Sequence, residues 1–99
     1  MNRIVLLCLL ALPLAACLAF DPQNAAGHAS TAIRVAREVC SAAWAKPAPD
    51  DAHWGATLVG DHWRVWLKDH GGTPDCALAM VTVARRTGVA GECAVCPSF

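Results

Sequence analysis

The sequence predicts an α+β domain in which one N-terminal helix packs on a four-stranded antiparallel meander and disulfides staple the whole. Three observations predict it. Apolar residues from Ser30 to Trp44 recur at three- and four-residue steps, the period of a helix with one buried stripe. Two runs, His53 to Val59 and His62 to Lys68, flank Gly60-Asp61, a pair suited to a tight hairpin turn. Four cysteines, Cys40, Cys76, Cys93 and Cys96, follow an apolar leader, and an even set in an exported chain defaults to disulfides.

The leader comes first. Met1-Asn2-Arg3 is a short positive start, and Ile4 to Leu14 is an apolar run of secretory length. A spanning helix would need roughly 20 apolar residues, whereas Pro13 interrupts this stretch and Asp21-Pro22 closes it. Residues 1–16 are therefore expected to be a signal peptide. Leu14-Ala15-Ala16-Cys17 resembles the lipobox of bacterial lipoproteins, which implies lipidation of Cys17 as the first mature residue. Ordinary cleavage near Ala19, with Cys17 one more apolar residue of the leader as Cys8 is, remains the alternative. Residues 17–29, with Pro22, Gln23, Asn24 and Gly27, read as a flexible tether, and residues 30–99 as the folded domain. Leu18 after the cysteine, rather than Asp, resembles the outer-membrane-sorted class, so the expected place is the periplasmic side of a bacterial envelope.

In the helix, Ala32, Ile33, Ala36, Val39, Cys40, Ala43 and Trp44 form the stripe, and Arg34, Arg37, Glu38 and Ser41 fall on the other side. Ser30 or Thr31 is a natural N-cap. Lys46-Pro47-Ala48-Pro49 ends the helix, because proline lacks the donor and disfavours a helical residue before it.

Glycine first in a two-residue loop predicts a type II′ hairpin and sets its register. Val59 then faces His62, Leu58 faces Trp63, Ala56 faces Val65 and Trp54 faces Leu67. These last six residues are apolar and share a face, so turn and pattern agree. Asp69 to Asp75 is a loop, Cys76 to Ala84 is β-rich, and Arg85-Arg86-Thr87-Gly88 turns the chain back through Val89 to Cys96. With Val83 opposite Val89, Cys76 falls opposite Cys96 and Ala79 opposite Cys93. That register suggests a Cys76–Cys96 bond, and points Cys93 inward with Val81, Val83 and Val89, toward Cys40 on the helix stripe.

Helix and hairpin together carry a resemblance. Ala32-Ile33-Arg34-Val35-Ala36, Trp54-x-Ala56-x-Leu58-x-Gly60-Asp61-x-Trp63-x-Val65, Gly71-Gly72 and Val81-x-Val83-x-x-x-Thr87-Gly88 resemble the short NTF2-fold immunity-type domains and, more loosely, PepSY domains, over about residues 30–93. The resemblance implies a small exported bacterial protein without known catalytic residues, some such proteins neutralising toxins by binding them. The four cysteines and the short link between helix and first strand depart from the family pattern.

Composition bounds the chemistry. The 99 residues carry 8 basic and 8 acidic side chains; without Arg3 the balance is near −1, so no basic footprint for nucleic acid exists. The first 20 residues hold 17 of the apolar positions, leaving one small domain whose core alone is marginal. No Ser/His/Asp, HExxH, P-loop or dinucleotide pattern is present, and no catalytic, cofactor-binding or metal-binding residue is assigned. Cys93-Ala94-Val95-Cys96 is a CxxC without a following helix to lower a thiol pKa. A zinc site drawing on His28, His53, His62 or His70 lacks a second close ligand pair. Asp50-Asp51, Asp69 and Asp75 read as solvated loop charges, a weak calcium site being the sharper alternative.

Trp44, Trp54 and Trp63 fall on the buried stripes and read as core. Trp66 does not. The two-residue period of a strand places it outward beside Arg64, with Leu78 and Met80 on the neighbouring strand. Exposed aromatic, methionine and arginine on a rigid sheet make a protein interface, so Arg64, Trp66 and Met80 are the candidate partner-binding residues, the partner being an unidentified envelope or toxin protein. The other reading is that another element or the chain termini cover this face. At the level of function, the rivals to a lipid-anchored binding domain are a small thiol-redox or metal-using enzyme and a passive envelope protein.

Overall fold

A computed structural model of the chain describes residues 25–98. The expected signal peptide, Cys17 and tether residues 17–24 lie outside the described residues. Helix α1 (Ala29–Trp44) precedes strands β1 (Trp54–Val59), β2 (His62–Leu67) and β3 (Met80–Ala84), which form an antiparallel sheet in the order β1-β2-β3. The class is α+β with one helix, as expected, but the sheet has three strands.

α1 buries Ala32, Ala36 and Cys40 completely and half-buries Ile33, Val39 and Trp44, the stripe read from the period; Ala43 alone of that set is exposed. Its first turn is a correction. His28 occupies the N-cap position without a side-chain bond, and Ser30 and Thr31 lie inside the helix. Tertiary contacts fix the chain entry instead: the Ala25 and Ala26 amides donate to the Arg86 and Arg85 carbonyls, both at 2.9 Å, and Ala26 is fully buried. These residues belong to the packed domain rather than to a flexible tether. At the other end, Ala45 adopts a left-handed φ of 56°, and the Ala45 and Lys46 amides bond the Ala42 and Ser41 carbonyls. This is a Schellman-type stop with alanine in the place that glycine fills at least cost.

The hairpin register is the one the turn implied, from Val59 opposite His62 to Trp54 opposite Leu67. Gly60 has φ 61°, while Asp61 has no positive φ, as a type II′ turn requires. The inward residues Trp54, Val65, Leu67, Val81 and Val83 are buried against α1; toward the hairpin tip burial fades, and Leu58 is 43% exposed. Both inward-facing indoles of the hairpin find acceptors, Trp54 Nε1 donating to the Pro49 carbonyl at 3.0 Å and the half-buried Trp63 Nε1 to the Ala26 carbonyl at 2.7 Å.

The chain after β3 departs from the expected fourth strand. It touches β3 only through isolated bridges, Val83 opposite Ala90 and Met80 opposite Ala94. Val83 opposite Ala90 is one residue out of the expected register, and a one-residue slip reverses the faces. Val89 accordingly points out and is 67% exposed, while Ala90 packs on the core. Between the Gly91–Thr82 bond and the Met80–Ala94 pair, Glu92 and Cys93 oppose Val81 alone. Such an extra residue acts as a bulge and restores the parity. Cys93 thereby turns inward and bonds Cys40, and farther on Cys96 bonds Cys76. The cysteine pairs are those the sequence suggested, reached through a different register.

These bonds matter because the core is thin. Of the thirteen buried apolar residues among those described, six are alanine and two are cysteine, leaving Trp54, Val65, Leu67, Val81 and Val83 as the larger side chains. The bonds span 53 and 20 residues, and closing loops of those lengths removes unfolded-state entropy equivalent to about 4 and about 3 kcal/mol.

Candidate functional site

The face of the sheet opposite α1 is built from three cross-strand rows. Gly55, Trp66 and Met80 stand side by side on β1, β2 and β3; Thr57, Arg64 and Thr82 form the next row, and Val59, His62 and Ala84 the last. The structure thus places Trp66 and Met80 in directly opposite cross-strand positions, with Arg64 one row along. Among the described residues, no helix or strand lies over this face.

Trp66 is half-buried rather than free. The reason lies in Gly55: a Cβ there would stand 2.5–2.8 Å from three carbons of the Trp66 ring, so the indole covers the glycine backbone directly. A glycine in a strand interior leaves its backbone open and lacks a side chain to pack, and an aromatic residue opposite it repairs both. Trp66 therefore has a modest folding role that the sequence reading did not assign. Gly55 is in turn a site residue that reading missed, although the hairpin register already set it opposite Trp66.

Arg64 Nη1 donates to Asp75 Oδ1 at 2.8 Å, and both side chains are largely exposed. Asp75 comes from the loop at residues 72–76, which folds back beside β3 with Thr73 bridged to Cys76. This loop and the chain at Gly91–Ala94 wall a groove of about 420 Å³ over Arg64, Met80 and Thr82, with Glu92 on its far side. The groove thus has an apolar floor at Met80 and charges of both signs on its rim, at exposure high enough that the ion pair itself contributes little to folding. Nothing in local sequence announces the Arg64–Asp75 pair, because it depends on how the loop returns.

Leu78 is not on this face. The chain bends there before β3 begins, and Leu78 packs with Trp44 and Leu67 beside the end of α1. His53 sits in a short 3-10 turn (Asp51–His53) and its Nδ1 lies 3.0 Å from Asp69 Oδ1, away from His62 at the hairpin tip. Asp50 and Asp51 face Arg37, the closer contact being Arg37 Nη1 to Asp51 Oδ1 at 2.6 Å. Each of these carboxylates has a cationic or histidine neighbour, and among the described residues no three potential ligands gather into a metal site. Cys93 and Cys96 are not bonded to each other; each is joined to a distant cysteine. Among the described residues no helix is long and apolar enough to cross a membrane. Comparison of the chain with protein-family models, with curated proteins and with solved structures finds no match.

Proposed function

We propose that this chain is an exported, lipid-anchored binding domain of a bacterial envelope, and that the face carrying Arg64, Trp66 and Met80 engages a protein partner, a toxin being one candidate. One observation carries the reading: the Gly55–Trp66–Met80 row holds a half-exposed indole rigidly across three strands, on the side away from α1. Tryptophan and arginine are the residues most enriched where interfaces concentrate their binding energy, and a paired sheet supplies them without the entropy of ordering a loop. Lys68 lies at the end of β2, and Arg64 can exchange Asp75 for a carboxylate of the partner, so the complementary surface presents an apolar group to Trp66 and carboxylates beside it. Engagement of all four domain cysteines in two separated bonds supports binding over thiol chemistry.

The anchor rests on Leu14-Ala15-Ala16-Cys17. Cys17→Ser releases the protein from membranes, since buried acyl methylenes supply about 0.8 kcal/mol each; a wild-type intact mass beginning at Leu18 or later without added lipid contradicts the anchor. The binding face is tested by pull-down from envelope extract. A partner retained by wild type and lost with Trp66→Ala and Arg64→Ala supports the reading, and equal recovery with all three proteins overturns it.

A further inference from the structure

Among the described residues four large apolar side chains stand exposed, Leu58 at 43%, Val59 at 47%, Val89 at 67% and Val95 at 56%. Exposed apolar residues scattered singly are ordinary, but three of these four gather at one end of the sheet. Leu58 and Val59 finish β1 at the hairpin tip. Across the ladder Val59 faces His62 and His62 faces Ala84, whose amide donates to the Val89 carbonyl at 2.9 Å. Val95 lies at the other end, one residue past the Met80–Ala94 bridge. The chain enters the domain where the three gather: the Ala25 and Ala26 amides bond the Arg86 and Arg85 carbonyls, and Ala25 lies beside Gly88. Charge at this end is unbalanced as well. Arg85 and Arg86 share one carboxylate, Asp61, at 3.0 and 3.8 Å, and the Arg86 side chain keeps 68% of its exposure.

We propose that this end of the domain, Leu58, Val59 and Val89 with Arg85 and Arg86 beside them, rests on an anionic phospholipid surface. The contact rests on the lipid anchor at Cys17 and deepens it, by naming the part of the domain that the anchor holds against the membrane. Chain length selects the lipid as what covers these residues. Cys17 and Ala25 are eight positions apart, so even at full extension the acylated residue lies within about 29 Å of this end. α1 starts here and carries the chain 16 residues, or about 24 Å, toward the opposite end, which is correspondingly farther from the anchor. The chemistry agrees with the distance. Apolar side chains enter the boundary between headgroups and acyl chains, while arginines beside them keep their guanidinium groups at the phosphates. The one positive charge left over after Asp61 is matched favours an anionic leaflet. Held this way, β2 rises from the membrane at His62, and Trp66 stands four residues, or about 13 Å, above it. The outer face is then clear of lipid and open sideways to a partner.

Quenching by spin-labelled lipid tests this on the anchored protein itself. With Cys17 acylated and the four domain cysteines paired, an added cysteine is the free thiol that takes a fluorescent label. Val59→Cys, Val89→Cys and Val95→Cys proteins, purified with their lipid, are placed in vesicles of phosphatidylglycerol and phosphatidylethanolamine carrying a spin label high on the acyl chain. Labels at 59 and 89 lose about half of their emission, because an interfacial contact reaches about 5–10 Å into the headgroup and acyl boundary, and the equally exposed label at 95 keeps its emission. Positions 59 and 89 lie on different elements, so either decides if the other variant fails to fold. Arg86→Glu, added to either, restores most of the lost emission, as does replacing phosphatidylglycerol by phosphatidylcholine. Vesicle-bound, lipidated protein whose labels at 59 and 89 are quenched no more than the label at 95 overturns this proposal and leaves the anchor standing. A wild-type mass without lipid overturns both.

Discussion

The two faces of one sheet are built from the same three strands and do opposite things. Toward α1, Trp54, Val65, Leu67, Val81 and Val83 are buried and interlock with a helix stripe of alanines and Cys40. Away from α1, Trp66, Met80 and Arg64 remain reachable by solvent, and the indole rests on Gly55 instead of on a core. The two-residue period of a strand makes this division almost unavoidable: every residue that folds the domain alternates with one that is free to do something else. What distinguishes the outer face is that its free positions are not uniformly polar.

The largest expected effect lies on the inner face. Trp54→Ala removes a 2%-exposed indole and is expected to cost about 3–5 kcal/mol in chemical denaturation. Trp63→Ala costs less, because Trp63 is half-buried, although it also abandons the bond to Ala26. Next comes the covalent link between the faces' common frame and α1. Replacing Cys40 and Cys93 by alanine opens a 53-residue loop and lowers stability by about 4 kcal/mol, against about 3 kcal/mol for the Cys76 and Cys96 pair. Equal losses from both pairs would mean that chain entropy is not how these bonds act.

Gly55→Val sharpens the comparison on the outer side. Its β-branched carbon would occupy the space of the Trp66 ring, so the indole must swing off the sheet, raising its fluorescence quenching by iodide while the melt shifts by no more than a few degrees. Quenching unchanged from wild type would show that the ring does not rest there in solution. The smallest effect belongs to neither face. Ala45→Gly relieves a left-handed φ of 56° at the end of α1 and is expected to stabilise by up to about 1 kcal/mol, seen as a higher melting temperature.

How much of this was legible in the sequence differs between the halves of the chain. The hairpin was fully so, because Gly60-Asp61 fixes the turn and six alternating apolar residues agree with it; Gly55 opposite Trp66 follows from the same numbering. The helix stripe was legible, but its start was not: Ser30 and Thr31 are better local caps than His28, and backbone bonds from Ala25 and Ala26 to the Arg85–Arg86 turn override them. After β3 the pattern misleads. Val89 reads as an inward strand residue, yet the turn offsets the register by one, and the bulge at Glu92–Cys93 that restores Cys93 to the core leaves no mark in the alternation. Disulfides succeed there where a ladder does not, since a covalent bond tolerates a slip that would cost a strand its entire buried face. The Arg64–Asp75 contact and the groove beside it were likewise invisible, because they depend on where the 72–76 loop and the 91–94 segment return to β2 and β3.

On the proposed function, the outer face serves binding and the inner face serves folding. Denaturation of Trp66→Ala, run beside partner pull-down of the same protein, tests it most directly. Losing the Gly55 contact should cost about 1 kcal/mol of stability or less, while loss of the indole should weaken partner binding by about 2 kcal/mol or more. A Trp66→Ala protein destabilised as much as Trp54→Ala, with binding intact in whatever remains folded, would contradict the account.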